Sequence, residues 1–217
     1  MRLKSVLLVV LLIVMLPAAG ALAQPSPVGP EAVWELPSHL YGSFTDCDER
    51  LECLMSVMKQ GGASPQAMAF TRMMKDNCYL EKFKEMGKVD LAYVFYPSRA
   101  NTNWAYFLVN GSPPMISTEN VQLNAQGRDK FSINIIKDPL YASLNRRYSE
   151  LNLYDPAVFQ QMEILPDGGQ RFIFAYALID GPRAGKQAGW VLVAFDFDGQ
   201  GRFLQTRLVR LTREIQE

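Results

Sequence analysis

The sequence predicts an α+β protein: an N-terminal helical hairpin packed on an antiparallel β-sheet or meander of about six to seven strands, with one helix inserted. Three observations predict it. Apolar residues from Cys47 to Met58 recur every three or four positions, the period of a helix face. From Val89 onward the period falls towards two, in runs rich in β-branched and aromatic residues such as Phe172 to Ile179 and Trp190 to Phe197. Pro166-Asp-Gly-Gly169 and Asp198-Gly-Gln-Gly201 join the last runs as tight turns, and strands joined so closely are antiparallel.

The chain opens with Arg2 and Lys4, an apolar run from Val6 to Leu16, and then Pro17 and small residues. That run is too short for a spanning helix, which needs about 20 residues. Ala21-Leu22-Ala23 fits an A-x-A cleavage site, so residues 1–23 read as a secretory signal with Gln24 the first mature residue. The expected location is periplasmic or secreted, with no stable membrane anchor after cleavage. Residues 24–44 carry Pro25, Pro27, Pro30 and Pro37 and read as an extended arm that Trp34 and Leu36 dock onto the body. Residues 45–217 then form a single α+β domain, of a size that one core can support.

In residues 45–87, Asp46 and Glu49 form a capping-box pattern before the first helix. Gly61-Gly62 ends it, and Ser64-Pro65 starts a second helix as N-cap and N1. The second helix is expected to run to Gly87, with a kink or break at Asp76-Asn77. Residues 88–137 supply strands at Val89–Tyr96, Trp104–Val109 and Phe131–Ile136. Asp138-Pro139 caps a helix over 138–151, and antiparallel strands fill 158–213.

Three cysteines in an exported chain imply one disulfide and one thiol. In a hairpin turning at Gly62, Cys47 and Cys78 are in register, whereas Cys53 is not. A Cys47–Cys53 bridge would span six helical residues, about 9 Å, and a disulfide tolerates at most about 7 Å between Cα atoms. The register predicts Cys47–Cys78, with Cys53 free.

Basic and acidic residues balance at 22 each, with no basic stripe, which argues against a nucleic-acid partner. The single histidine, His39, falls in the arm, so histidine-dependent nucleophilic catalysis is poorly served. No cofactor motif is present. "DFDGQG" (Asp196 to Gly201) matches the first half of a calcium loop, but Arg207 stands where the bidentate carboxylate belongs, so a hairpin turn is expected, with weak calcium binding through Asp196 and Asp198 as the alternative. Asp90, Glu163, Asp180 and Asp196 are the carboxylates that could pair for hydrolysis. Met55 and Met58 beside Cys53 could be copper ligands, although their helical spacing favours core packing. The loop from Tyr96 to Trp104 offers Arg99, Asn101, Asn103 and Trp104 as a binding surface. The reading is a non-enzymatic binding protein whose partner is an unknown envelope protein or a small apolar or polar ligand. A hydrolase with paired carboxylates and a Met/Cys copper-handling protein are the rival readings.

Overall fold

The computed structural model describes residues 34–37, 50–100, 102–123, 131–181 and 185–213. The expected signal, most of the expected arm, Asp46, Cys47, Glu49, His39 and Asn101 lie outside them. The described chain mixes helices with antiparallel sheets. A short strand β1 (Trp34–Glu35) precedes helices α1 (Arg50–Gln60) and α2 (Pro65–Met74). Strands β2 (Tyr79–Lys84), β3 (Asp90–Phe95), β4 (Trp104–Val109) and β5 (Met115–Ser117) complete a five-stranded antiparallel sheet in the order β1-β2-β3-β4-β5. Next come β6 (Gln122–Leu123), β7 (Ser132–Ile133) and α3 (Pro139–Asn145). The long strands β8 (Leu151–Ile164), β9 (Gln170–Asp180), β10 (Lys186–Phe197) and β11 (Phe203–Thr212) form a four-stranded antiparallel meander.

The alternation of side chains along a strand turns these pieces into three layers. On β4, Ala105, Phe107 and Val109 face the helices, where they meet Leu54, Met58 and Phe70, while Leu108 belongs to a second core against the other sheet. Both faces of β4 are covered along most of its length, which is why "WAYFLV" is apolar without interruption. The four-stranded sheet contributes Phe172, Phe174 and Tyr176 from β9 and Val193, Phe195 and Phe197 from β10 to that second core. Phe174 and Phe195 pack edge to face with ring centroids 5.5 Å apart, a favoured aromatic geometry.

Local signals place the ends of several elements. Ser64 accepts a hydrogen bond from the Ala67 N–H at 3.2 Å with Pro65 at the first helical position, and Asp138 caps α3 through the Leu140 N–H at 2.8 Å. Gly61 is required by proximity: a Cβ there would lie 2.9 Å from the indole of Trp34. Trp34 itself is buried and donates from Nε1 to the Leu80 carbonyl at 3.0 Å, so the arm joins the body as an edge strand.

Several expectations are corrected. Among the described residues the β structure divides into sheets of five, four and two strands, rather than one of six or seven. The second helix stops at Met74: Lys75 has φ 53°, a 3-10 turn covers Lys75–Asn77, and residues 79–84 pair as a strand with β1 and β3. The suspected break at Asp76-Asn77 is thus the end of the helix, because sheet pairing on both sides outweighs the weak helical period of "YLEKFK". Helix α3 ends at Asn145, and Leu151 opens β8 instead of closing a helix. Pro156 is tolerated inside β8 because this is an edge strand whose register breaks between Tyr154 and Val158. Of Phe131–Ile136, only Ser132–Ile133 pairs as a strand, in parallel with β6.

The cysteines also depart from the expectation. Cys78 is a free, buried thiol and Cys53 is disulfide-bonded, so neither the Cys47–Cys78 bridge nor a free Cys53 holds. The register argument failed because α2 ends four residues before Cys78, which sits in extended backbone leading into β2. The third cysteine, Cys47, lies outside the described residues.

Candidate functional site

The five-stranded sheet is wider than what covers it. Strand β8 packs over β4, and beside it residues of β1, β2 and β3 border a cleft. There the sheet forms a cleft of about 340 Å³. Leu91, Tyr93 and Tyr106 line it from β3 and β4, and Phe159 of β8 makes one wall. Glu81 and the lysines Lys82 and Lys84 line it from β2, with Glu35 from β1.

A bulge sets up the polar end. The register between β2 and β3 shifts between Leu80 and Lys82, so Glu81 has no opposite residue. A bulge re-aims the extra side chain. Here it brings a carboxylate into the sheet at 5 % exposure. The Trp104 Nε1–H donates to Glu81 Oε1 at 3.2 Å. The aromatic part follows from cross-strand pairing: Tyr93 lies opposite Tyr106, with ring centroids 4.5 Å apart. Tyr106 also meets Phe159 at 6.4 Å and Phe174 at 5.6 Å. Burial, with a smaller contribution from the charge of Glu81, pushes the Tyr106 hydroxyl above its ordinary pKa, so it stays a protonated donor at neutral pH. At the rim, Lys82 Nζ pairs with Glu35 at 3.1 Å.

The anticipated binding loop behaves differently. Both terminal nitrogens of Arg99 bond both oxygens of Glu119, and the guanidinium lies 3.6 Å from the centroid of the Tyr96 ring. Asn103 closes the loop, with its side-chain amide donating to the Tyr96 carbonyl at 3.1 Å and its own carbonyl accepting the Tyr96 N–H at 2.6 Å. Arg99 and Asn103 thus hold the loop's shape. Asn101 is outside the described residues. Trp104 is the member that reaches the cleft, through Glu81.

The carboxylates singled out for hydrolysis are also engaged. Asp196 is gripped by Arg171 through Nε at 2.6 Å and Nη2 at 3.1 Å, and by Arg207 at 3.2 Å. Glu163 reaches the same Arg171 at 3.6 Å. One ladder of alternating charge therefore crosses the four strands on the outer face of their sheet. Asp90 accepts from the Met86 N–H at 2.7 Å and from Asn110 Nδ2 at 2.6 Å, and Asp180 accepts from the Glu150 N–H at 2.9 Å. Asp198 folds its turn: Oδ1 takes the Gln200 and Arg202 N–H groups, each at 2.9 Å, and Oδ2 takes Arg202 Nε at 2.7 Å. "DFDGQG" serves as the β10–β11 turn. It docks on the β4–β5 turn, where Ser112 N–H donates to the Gly201 carbonyl at 2.8 Å. Among the described residues, no three His, Cys, Asp or Glu side chains gather as a metal site. Met55 and Met58 are buried in the helix-side core, and Met58 Sδ accepts from Thr71 Oγ1 at 3.3 Å.

Sequence reasoning passed over Glu81, Tyr93, Tyr106 and Phe159. Tyr93 and Tyr106 lie in the strands expected at Val89–Tyr96 and Trp104–Val109, where no local pattern marks them as cleft residues. Glu81 was assigned to a helix; its position between buried Leu80 and Phe83 was the available signal. In comparisons with known proteins, no family model, no curated sequence and no solved structure matches this chain.

Proposed function

We propose that the protein is an exported, periplasmic or secreted binding protein that holds a small ligand in the cleft of the five-stranded sheet and does not transform it. The observation that carries this reading is the cleft itself. It is open to solvent, it is walled by Tyr93, Tyr106 and Phe159, and it ends on the buried carboxylate of Glu81. Apolar walls with a few fixed polar groups are the general form of a small-molecule site, and a volume near the lower end of the usual ~300–1,000 Å³ suits a small ligand. The paired helices α1 and α2, read as a hairpin, back this sheet and stiffen the floor. Hydrolysis finds less support, since Asp90, Glu163, Asp180 and Asp196 spend their oxygens on arginines, an asparagine and backbone N–H groups. Copper handling finds less support too, with Met55 and Met58 in the core and Cys53 disulfide-bonded.

The experiment is a fluorescence titration of the mature chain with small-molecule fractions of its native envelope, monitored at tryptophan. Trp104 bonds the cleft carboxylate and should report occupancy. A saturable change that disappears in Tyr106→Ala/Phe159→Ala, with the ligand recovered chemically unchanged, supports binding. A ligand recovered as product would replace this reading with an enzymatic one.

A further inference from the structure

We propose that the ligand of this cleft is a small organic cation, an amine or quaternary ammonium attached to an apolar or aromatic group. The inference presupposes the binding reading above and names its chemistry. Two features converge. Glu81 offers a carboxylate at the floor, 5 % exposed and held in place by the Trp104 N–H at 3.2 Å. A charge there acts across a medium less polarizable than water, so its attraction for an opposite charge is far stronger than at the surface. Beside it, the rings of Tyr93 and Tyr106 lie 4.5 Å apart at 34°, with Phe159 beyond them. Ring faces carry negative partial charge and attract cations within about 6 Å.

The lysines argue for the opposite ligand, an anion, and their position decides against it. Lys82 is tied to Glu35 at the rim, with the two side chains 38 % and 65 % exposed. Lys84 is half-buried opposite Leu91, on the far side of Lys82 from the Glu81 bulge. Exposed charges are screened by water and salt. An anion entering past them would meet the buried carboxylate and the π faces. Lys82 at the rim can admit a ligand, but the carboxylate and rings at the Glu81 end select it.

Three probes with the same ring and chain length test this on the mature chain: phenethylammonium, 2-phenylethanol and phenylacetate, titrated by amide-resolved NMR. The ammonium is expected to bind about tenfold tighter than the alcohol, with phenylacetate weakest, and to shift the amides of β2, β3 and β4 around Glu81, Tyr93 and Tyr106. Glu81→Gln should bring the ammonium to the affinity of the alcohol. Phe159→Ala should weaken all three. Should Glu81→Gln fail to fold, the ranking on the unsubstituted chain decides alone. Equal affinities, or phenylacetate the tightest, would overturn the cation assignment while leaving a binding cleft. Absence of cleft shifts with every probe would overturn the assignment and the binding reading together.

Discussion

The side-chain amide of Gln170 pairs with both backbone polar groups of Val89. Oε1 of Gln170 accepts the Val89 N–H at 2.8 Å, and its Nε2 donates to the Val89 carbonyl at 3.0 Å. The same amide also takes the Lys88 N–H at 2.9 Å and donates to the Met86 carbonyl at 2.8 Å. Gln170 opens β9 of one sheet, and Val89 precedes β3 of the other. A single buried side chain therefore serves as a missing strand for the β2–β3 turn and joins the two sheets beside their shared core.

Gln170→Ala is expected to be among the costliest polar substitutions, at about 3–5 kcal/mol, because four backbone groups lose their partner at once. Gln170→Glu keeps the acceptor but turns a buried carboxylate oxygen towards the Met86 and Val89 carbonyls, and should cost at least as much. Urea unfolding midpoints of the three proteins check the order. A loss below about 1 kcal/mol for Gln170→Ala would show that the amide is not the link between the sheets.

The ladder Glu163–Arg171–Asp196–Arg207 makes a second prediction. Removing Asp196 strands Arg171, whose side chain is only 18 % exposed, with the longer Glu163 contact as its remaining partner. Asp196→Ala should cost about 2–4 kcal/mol, and Arg171→Ala/Asp196→Ala less than the sum of the single losses. Strict additivity in the double-mutant cycle would contradict the coupling. Calcium should leave the melting temperature unchanged, since Asp196 and Asp198 spend their oxygens on arginines and turn N–H groups.

Asp90 gives a pH signature. Burial raises its pKa above the ordinary carboxylate value, against the hydrogen bonds from Asn110, Met86 and Gly87, and the nearby charge of Glu85 raises it further. The folded state thus binds a proton that the unfolded state has released. The stabilisation is fully present below the unfolded value of about 3.9 and is lost as pH rises through the folded pKa. Asp90→Asn removes this dependence. The stability difference, wild type minus Asp90→Asn, should therefore grow in favour of wild type as pH falls from 7 to 4. A flat or opposite trend would place the titration elsewhere.

Burial pushes the Cys78 thiol up to about 12, opposed by Arg99 nearby. The native chain should show no thiol reactive to a neutral disulfide reagent, and one per chain after unfolding without reductant. Peptide mapping without reductant should return Cys78 unlinked and Cys53 joined to Cys47, the other cysteine the chain supplies. A linked Cys78 would contradict the arrangement.

Strands whose pattern reflects simple two-sided burial were legible in the residues. "WAYFLV" is β4 residue for residue, and Asp198-Gly-Gln-Gly201 is a hairpin turn. So were the caps at Ser64 and Asp138, where one side chain settles the local backbone. What could not be read depends on partners distant in sequence. β2 resembles a continuation of α2 until β1 and β3 pair with it, and the Cys78 register fell with that helix. The division into separate sheets depends on which apolar faces meet, and no local period records it. The cleft escaped for the same reason. Glu81 gains its position from a bulge, Tyr93 and Tyr106 are neighbours only across strands, and Phe159 comes from the other sheet. Arg99, by contrast, is conspicuous in the sequence and is consumed by Glu119.

The most direct test of the central claim, that this cleft is a ligand site, is native mass spectrometry of the protein recovered gently from its native source. Wild type is expected to carry a small molecule of defined mass, released on unfolding. Tyr106→Ala/Phe159→Ala, folded by circular dichroism, is expected to come through bare. A bare wild-type protein, or a double variant that retains the same mass, would contradict the claim.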